Sequence, residues 1–465
     1  MDFRDYSITD LVNKIKGKEI SAHEVTSSAL ANIETKDKLI NAFCAVKDED
    51  ALTQADNIDK RIRKGEDVGP LAGIPIGVKD LEDAKGFVTT FGSALHINDT
   101  PALEDSILVD KLRSAGCVVL GKTNTPEFGH KGKTDNLPFG VTKNPWNLEY
   151  SPGGSSGGTS AAIAAGIIPL GTGSDGGGSI RIPSALCGLS GIKTSQGRIP
   201  IGGKVPPGSG LLTVKGPMAR TTRDTTLALD ATIGAHPSDI FSLESHRTNW
   251  RDQLQVGNLP KTVIWSPTMG FSTVDKEILS ICEQAIQTLR DAGVTIIEKD
   301  IIWDQNPVEH WLVFWAASRA RAQQHLIGTP EYEKIDPLLR TFIEMGVKMD
   351  AASYASAIDA CHLFNYQLEK AFCEAPLIIT PATCGQPPKL EGDGTVNGEE
   401  TAAWVDFTMG INMTRNPAGV IPAGLLKSRV PIALQIIGRQ REDLSVLQAM
   451  NAFEPLLKLD YRAGD

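Results

Sequence analysis

The chain has 465 residues, a formal net charge of -10 and an apolar fraction of 41%. Its length allows a large buried core, and its acidic balance argues against a nucleic-acid-binding protein. No apolar run approaches the roughly 18 residues that a membrane span needs, so we expect no membrane association.

The seven cysteines are widely spaced and form no C-x-x-C pair. This spacing fits neither a disulfide framework nor a zinc site, and it is typical of proteins in a reducing compartment. The start of the chain, MDFRDYSITD, lacks the basic and apolar regions of a signal peptide. We therefore expect a cytoplasmic location, and the spacing of the eight histidines predicts no metal site.

The first part of the chain predicts helices followed by a short buried strand. Apolar residues recur at helical spacing over 8–16 and 48–64. Another helix is expected to start after Ser21, because Glu24 stands three residues later and completes a capping box. The apolar run between glycines at 69–80 then predicts a strand.

The same alternation continues along the chain. An amphipathic helix is predicted at 104–116, a buried strand at 117–123, and a close-packed helix of small residues leading into a strand at 151–175. Helix-then-strand alternation recurs at 274–300 and at 431–455. We therefore expect an α/β fold, in which helices cover both faces of a mixed, twisted β-sheet.

The stretch 303–372 is rich in helix signals and has no strand signal. It is either a lid over the functional site or an ordinary helical layer, and the sequence does not separate the two. No repeat, low-complexity tract or linker divides the chain. We therefore predict a single large domain over 1–465 that contains this helix-rich segment.

The run GSDGGGSIRIPSA at 173–185 places three glycines directly before Ser179. Successive glycines let backbone N–H groups converge on one point, because no Cβ blocks the approach. Such a nest can hold the oxygen that becomes negative when a carbonyl is attacked. Ser179 is therefore well placed to be a nucleophile.

Two further segments carry candidate chemistry. In SPGGSSGGTSAA at 151–162, the adjacent Ser155 and Ser156 lie between glycines; the packed flanks argue against a flexible linker, and a structural turn fits equally well. Lys79 ends a buried apolar strand, where burial would lower its pKa and make it a usable base. The alternative is a solvated lysine or an ion pair with Asp80.

Two common motifs are absent or misleading. Gly171, Gly173 and Gly176 match G-x-G-x-x-G, but the following run SIRIPSA contains a proline that makes it a poor start for a long helix, and no acidic residue stands about 20 positions later. Both points argue against a dinucleotide site. No G-x-S-x-G surrounds the candidate serines, and nothing ties the loop residue His130 to Ser179. A Ser–His–Asp hydrolase is therefore not indicated.

Taken in order, these segments resemble the amidase signature family. The resemblance is carried by GIPIGVKD, GKTNTPEFG, SPGGSSGG, GSDGGGSIRIP, NPAGVIPAG and VPIALQIIG. It implies the fold of that family and a Ser–cisSer–Lys triad made of Ser179, Ser155 and Lys79. It further implies an oxyanion hole from the N–H groups of Gly176, Gly177, Gly178 and Ser179, and supporting roles for Ser156, Asp175 and Arg181.

The resemblance also implies a function. We expect a hydrolase that cleaves C–N bonds of small or aryl amides through an acyl-enzyme on Ser179, without metal or cofactor. The partner is expected to be a small amide or carbamate substrate, bound by a monomer or homodimer. Alternatives are a carbamate (urethane) or ester hydrolase, or a nylon-oligomer hydrolase; a glutamine amidotransferase subunit is less favoured.

The sequence departs from the commonest family pattern in two places. Gly176 stands where many members carry threonine, which keeps the backbone donor. The loop 129–136 carries His130, two lysines and no G-x-x-S/T pattern, so the substrate is left open. In this loop we expect Gly132 and Thr134 to contact the substrate.

Overall fold

Helices and strands alternate along most of the chain. The computed structural model describes residues 1–203, 212–245, 248–255, 258–459 and 462–464. The α-helices are α1 (Ile8–Lys16), α2 (Ala22–Asn32), α3 (Lys38–Ile40), α4 (Asp48–Arg63), α5 (Ile107–Ser114), α6 (Gly157–Ala164), α7 (Arg181–Leu186), α8 (Thr222–Thr232), α9 (Lys276–Asp291), α10 (Val308–Gln323), α11 (Pro337–Val347), α12 (Ala351–Phe372), α13 (Asp406–Thr414) and α14 (Asp443–Phe453). The β-strands are β1 (Phe43–Val46), β2 (Pro75–Lys79), β3 (Val118–Thr123), β4 (Asp135–Asn136), β5 (Gly140–Val141), β6 (Leu170–Asp175), β7 (Gly191–Lys193), β8 (Val214–Ala219), β9 (Thr262–Trp265), β10 (Thr295–Glu298), β11 (Leu377–Pro381), β12 (Thr395–Val396), β13 (Glu399–Glu400), β14 (Ala418–Leu425) and β15 (Pro431–Gly438).

The local signals in the first part of the chain are confirmed. Helix α2 follows Ser21, whose Oγ accepts a hydrogen bond from the Glu24 N–H at 3.0 Å, while Glu24 Oε2 accepts one from the Ser21 N–H at 2.7 Å. This reciprocal capping box satisfies backbone donors that the first helical turn leaves open. Helix α4 ends just before Gly65, which adopts a φ of 75° that favours glycine.

The strands form two mixed sheets and two short hairpins. The five-stranded sheet has the order β1-β3-β2-β6-β8, and the six-stranded sheet has the order β10-β9-β11-β15-β14-β7. Strands β2, β3 and β6 are parallel, whereas β1 and β8 are antiparallel to their neighbours. The edge strands β7 and β8 lie side by side. The predicted α/β class is confirmed, with the expected mixed sheet divided into two.

The parallel strands determine where functional groups gather. Because β2, β3 and β6 run in the same direction, their carboxyl ends meet at one edge of the sheet. Lys79 is the last residue of β2, and Asp175 is the last residue of β6. The Lys79 N–H also donates to Thr172 Oγ1 of β6 at 2.8 Å, which ties the two strand ends together.

Small residues allow α6 to pack closely on this sheet. Every residue of α6 is buried. A Cβ on Gly158 would lie 2.4 Å from the Asn124 backbone nitrogen and 2.6 Å from the Ala42 carbonyl oxygen. Thr159 Oγ1 lies 2.6 Å from Thr123 Oγ1 of β3 and donates to the Thr172 carbonyl at 2.9 Å. The helix thus bridges β3 and β6.

The helix-rich stretch 303–372 contains α10, α11 and α12 and no strand, and all its residues are described. The predicted order at 274–300 is confirmed by α9 and β10. The predicted order at 431–455 is wrong, since β15 precedes α14. The run PIALQIIG of β15 is fully buried, as suits an inner strand.

None of the helices in the described part of the chain has the length and apolar character needed to cross a membrane.

Replacing Gly158 with alanine tests the close packing of α6. In an open helix this change adds about 1 kcal/mol of stability, but here the Cβ would press on backbone atoms that cannot move aside. We expect Gly158→Ala to lower the free energy of unfolding by about 1–3 kcal/mol in urea titrations. Ser280→Ala, on the exposed face of α9, is the matched control and should leave the midpoint nearly unchanged. A stabilised Gly158→Ala variant would contradict the packing.

Candidate active site

Three serine hydroxyls surround the buried amine of Lys79. Lys79 Nζ lies 2.8 Å from Ser155 Oγ, 2.9 Å from Ser156 Oγ and 3.0 Å from Ser174 Oγ. The lysine has no solvent-accessible surface. Ser174, from β6, was missed by the sequence analysis, although it lies one residue before Asp175 in the same quoted motif.

The expected alternative for Lys79, an ion pair with Asp80, is wrong. Asp80 pairs instead with Lys122, whose Nζ lies 3.0 Å from Asp80 Oδ1. Adjacent residues of an extended chain point to opposite faces, so the side chains of Lys79 and Asp80 contact different residues. Among the described residues, no carboxylate forms a salt bridge with Lys79.

The electrostatics of this environment favour the neutral amine. Burial lowers the pKa of Lys79 to about 7, against the opposing pull of the Glu82 and Asp175 charges. A neutral amine has two N–H groups and one lone pair, so it can accept a proton from one of the three hydroxyls. Near neutral pH, Lys79 therefore has the properties of a general base.

The loop that carries Ser155 is held tightly. The peptide bond between Gly154 and Ser155 is cis. A Cβ on Gly154 would lie 2.8 Å from backbone atoms of Lys133, so only glycine fits against that segment. The Ser156 N–H donates to the Ser179 carbonyl at 3.2 Å, which joins this loop to the glycine-rich loop.

Ser179 lies at the boundary between this buried cluster and a cavity. It is partly exposed and lines the cavity, whereas Ser155 is 2% exposed. Both serines are described, and no hydrogen bond joins their hydroxyls in the structure. Unliganded active sites often show such loose contacts, which tighten when substrate binds. The structure thus brings Lys79 and Ser155 together and places Ser179 on the adjoining loop; their chemical roles stay a prediction.

The glycine-rich loop presents three free backbone donors. Within the described part of the chain, the N–H groups of Gly176, Gly177 and Ser179 donate to no acceptor. The expected contribution of Gly178 is wrong, because its N–H donates to Asp175 Oδ1 at 2.7 Å. A backbone amide has one hydrogen, so this bond removes Gly178 from the donors available to an oxyanion.

A buried ion pair fixes the shape of that loop. Arg181 binds Asp175 in a bidentate manner, with Nε to Oδ2 and Nη2 to Oδ1 both at 2.9 Å. Burial by itself raises the pKa of Asp175, but the charge and hydrogen bonds of Arg181 hold the pKa of this carboxyl well below its usual range. Asp175 also accepts the N–H of Ile180 at 3.2 Å. The pair therefore determines where Gly176, Gly177 and Ser179 point.

Residues distant in sequence complete this support. Arg181 Nη1 donates to Gln435 Oε1 at 2.7 Å, and Asn412 Nδ2 donates to the Asp175 carbonyl at 2.9 Å. Gln435 lies within the motif VPIALQIIG, and Asn412 shortly precedes NPAGVIPAG. These motifs drew attention to this part of the chain, but they did not predict the roles of the two residues. Trp311 Nε1 donates to the Gly176 carbonyl at 2.8 Å, from a segment where the sequence gave no signal.

The cavity beside Ser179 has a volume of about 690 Å³. Its walls come from α10, α11, the loop 129–133 and residues 402–409. Gly132 lines it, and a Cβ at this position would lie 3.3 Å from the Trp404 ring; its contact with the substrate stays a prediction. The expected contact of Thr134 is wrong, because this residue is buried outside the cavity and its hydroxyl donates to the Gly153 carbonyl at 2.8 Å.

The loop residue His130 serves a different part of the site. Its Nε2 lies 3.1 Å from Asp336 Oδ1, and Lys131 Nζ lies 2.7 Å from Asp336 Oδ2. Asp336 caps α11 by accepting the Leu338 N–H at 2.9 Å. His130 and Lys131 thus attach α11 to the loop at the cavity wall, and no hydrogen bond joins His130 to Ser179 among the described residues.

The model of the family described as Amidase matches residues 24–447 of this chain. The chain belongs to the amidase signature family. It is therefore an amidase signature hydrolase.

Proteins similar to this amidase include acylamidases and an amidotransferase subunit. An acylamidase of Rhodococcus erythropolis is 33% identical, with 96% of this chain and 94% of the relative covered. A subunit of the glutamyl-tRNA(Gln) amidotransferase of Agathobacter rectalis is 31% identical, with 99% and 95% covered. The structure of a bacterial aryl acylamidase superposes with a TM-score of 0.91 at 29% identity, covering 97% of this chain and 96% of that one.

A fourth similar protein is a 6-aminohexanoate cyclic dimer hydrolase. The structure of a 6-aminohexanoate cyclic dimer hydrolase in complex with substrate superposes with a TM-score of 0.87 at 26% identity. The match covers 99% of this chain and 98% of that one. The shared fold therefore extends over almost the full length of each protein.

Removing the carboxylate of Asp175 tests the buried ion pair. Asp175→Asn leaves the Arg181 guanidinium buried without a counter-charge, so we expect the free energy of unfolding to fall by about 3–5 kcal/mol. The double variant Asp175→Asn/Arg181→Met removes both charges and should lose less than the single variant. Urea titrations at neutral pH measure both. If the double variant is the less stable of the two, the electrostatic account is wrong.

Proposed function

We propose that this amidase hydrolyses small or aryl acyl amides through an acyl-enzyme on Ser179, with Ser155 and Lys79 carrying the protons. One observation carries the proposal: the buried Lys79 amine contacts serine hydroxyls, Ser155 among them, and forms no salt bridge with a carboxylate in the described protein. A lysine held only to stabilise the fold would be expected to pair with an acid.

The proposed reaction begins with two proton transfers. Neutral Lys79 takes the hydroxyl proton of Ser155, and Ser155 takes that of Ser179, whose Oγ attacks the carbonyl carbon. The carbonyl oxygen becomes negative and is stabilised by the N–H groups of Gly176, Gly177 and Ser179. The proton returns through Ser155 to the amine nitrogen as the C–N bond breaks. Water then attacks the acyl-enzyme by the same route and releases the acid.

The cavity supports an acyl amide with an apolar or aryl group. Aromatic side chains from three parts of the chain line it, namely those of Trp311, Trp315, Phe342 and Trp404. The names of the acylamidase and aryl acylamidase relatives point to the same substrate class. We further propose that the chain is one domain over 1–465, acts in the cytoplasm as a monomer or homodimer, and needs no metal or cofactor.

Other acyl substrates are alternatives within the same chemistry. The proposed triad can attack carbamates (urethanes) and esters, and the cyclic-dimer hydrolase makes nylon-type amides a further candidate. A role in a glutamine amidotransferase is supported by the 31% identity to the glutamyl-tRNA(Gln) amidotransferase relative. It is less favoured because the loop 129–136 lacks the tyrosine of the form expected in such enzymes.

A substrate panel tests the proposed function and its nucleophile together. Purified protein is incubated with an aryl acyl anilide and with the carbamate and ester of matched shape, and product acids are measured. We expect the anilide to be cleaved, and Ser179→Ala to lower kcat by at least about a thousandfold. A fluorophosphonate should add its mass to the peptide that contains Ser179.

The control for this panel is Ser160→Ala. Ser160 is a buried serine of α6 whose hydroxyl has no hydrogen-bond partner in the described structure, so its loss should leave turnover and labelling intact. If the carbamate or the ester is cleaved faster than the anilide, the proposed preference for amides is wrong. Turnover that survives in Ser179→Ala would refute the nucleophile.

The pH dependence tests the role of Lys79. Since the base is the neutral amine and its pKa is about 7, kcat/KM should fall about tenfold per pH unit below pH 7 and level off above it. Burial also lowers the pKa of Lys193 to about 7, but Lys193 Nζ donates to the Thr194 carbonyl and not to the serines. Lys193→Met should therefore keep the fall of kcat/KM below pH 7, while Lys79→Met should lose activity at every pH. If the fall below pH 7 disappears in Lys193→Met, the titrating group is Lys193 and not Lys79.

A further inference from the structure

One carboxylate in the cavity wall has no partner among the residues that the structure describes. Asp406 is the first residue of α13 and lines the same cavity as Ser179. It is 7% exposed. Within the described part of the chain, neither of its oxygens accepts a hydrogen bond or forms a salt bridge. A buried carboxylate is costly to leave unpaired, so its environment calls for a donor from outside the chain.

The other acids of the cavity wall are all engaged. Asp336 binds the His130 and Lys131 side chains. Asp393 Oδ1 accepts the Trp404 Nε1–H at 2.8 Å, and Glu400 Oε1 accepts the Asp393 N–H at 2.6 Å. Asp406 therefore differs from these three acids, because no donor in the described part of the chain binds it.

The positive groups of the wall are also engaged elsewhere. Lys131 Nζ is held between Asp336 and Asp135, at 2.7 Å and 3.1 Å. Lys133 Nζ donates to the Gly392 carbonyl at 2.8 Å. Neither lysine forms a salt bridge with Asp406, so the protein itself does not neutralise this carboxylate.

The surroundings of Asp406 favour a cation over a neutral donor. Four carboxylates and two lysine ammonium groups line the cavity, which gives it an acidic balance. Trp311 and Trp404 line the same space, and indole faces attract organic cations. Burial raises the pKa of Asp406 to about 7, and an approaching ammonium would stabilise the ionised form.

We propose that Asp406 is a binding subsite for a protonated amine on the substrate, so that the preferred amides carry an ammonium group on their acyl or amine part. This inference rests on the proposed amide hydrolysis, because it names the substrate class of that same site. The carboxylate and the indole rings recognise the ammonium, and Ser179, which lines the same cavity, attacks the amide carbonyl.

Equilibrium binding separates this inference from catalysis. The ligands are N-(ω-aminoalkyl)benzamides and ω-aminoacyl anilides with two to five methylene groups, each paired with the analogue in which a methyl group replaces the ammonium. The two series place the cation on either side of the amide, and calorimetry on the Ser179→Ala variant gives Kd without turnover. We expect at least one ammonium ligand to bind about 10- to 100-fold more tightly than its methyl analogue.

Three variants in the Ser179→Ala background identify the residue responsible. Asp406→Asn should remove the ammonium preference, and Asp406→Glu, which restores a carboxylate, should recover part of it. Glu400→Gln removes the same charge from the same wall, at an exposed acid, and should change the preference by less than about twofold. Circular dichroism and the urea midpoint verify that each variant is folded.

The inference is overturned if no ammonium ligand binds more tightly than its methyl analogue. It is also overturned if the preference survives in Asp406→Asn, or if Glu400→Gln removes it as fully. An ammonium preference in a protein that cleaves neither ligand series would leave the subsite standing and refute the proposed hydrolysis. Hydrolysis without any such preference would refute the subsite alone.

Discussion

Burial lowers the pKa of Lys79 to about 7, and each of the nearby carboxylates is bound to a different cation. Asp80 pairs with Lys122, Glu82 with Lys215 and Asp175 with Arg181. Were one of these acids free to reach Nζ, the Coulombic attraction would raise the lysine pKa and remove the base. The hydroxyls that contact Lys79 satisfy its hydrogen bonds without adding charge. The arrangement of charges around the strand ends is thus a condition for the chemistry.

The pair of Asp175 and Arg181 contributes to the site in two ways. It gives the Asp175 carboxylate a cation other than Lys79, and the carboxylate also accepts the Gly178 N–H. With Gly178 turned inward, the other N–H groups of the loop stay free. The bond that removes one expected donor therefore orients the remaining donors, and one buried pair links the proposed base to the proposed oxyanion site.

The sequence predicted features that depend on neighbouring residues, and it missed those that depend on the path of the chain. The Ser21 capping box and the small residues of α6 follow from local chemistry, and the order of the motifs identified Lys79 and Ser155. The direction of the Gly178 N–H and the burial of Thr134 depend on backbone torsions that no pattern encodes. Trp311 reaches Gly176 from a segment 135 residues away, so only the folded chain could show that contact.

The same reasoning separates two buried ionisable groups at this site. Lys79 forms no salt bridge with a described residue, but three serine hydroxyls contact its amine. This arrangement suits a group that exchanges protons with its neighbours. Asp406 receives no donor from the described chain, although the acids around Lys79 all find cations. A buried carboxylate that only stabilised the fold would be expected to pair with a donor of the fold. The lack of an internal partner for Asp406 therefore argues for a role toward a ligand, whose own charge completes the cavity.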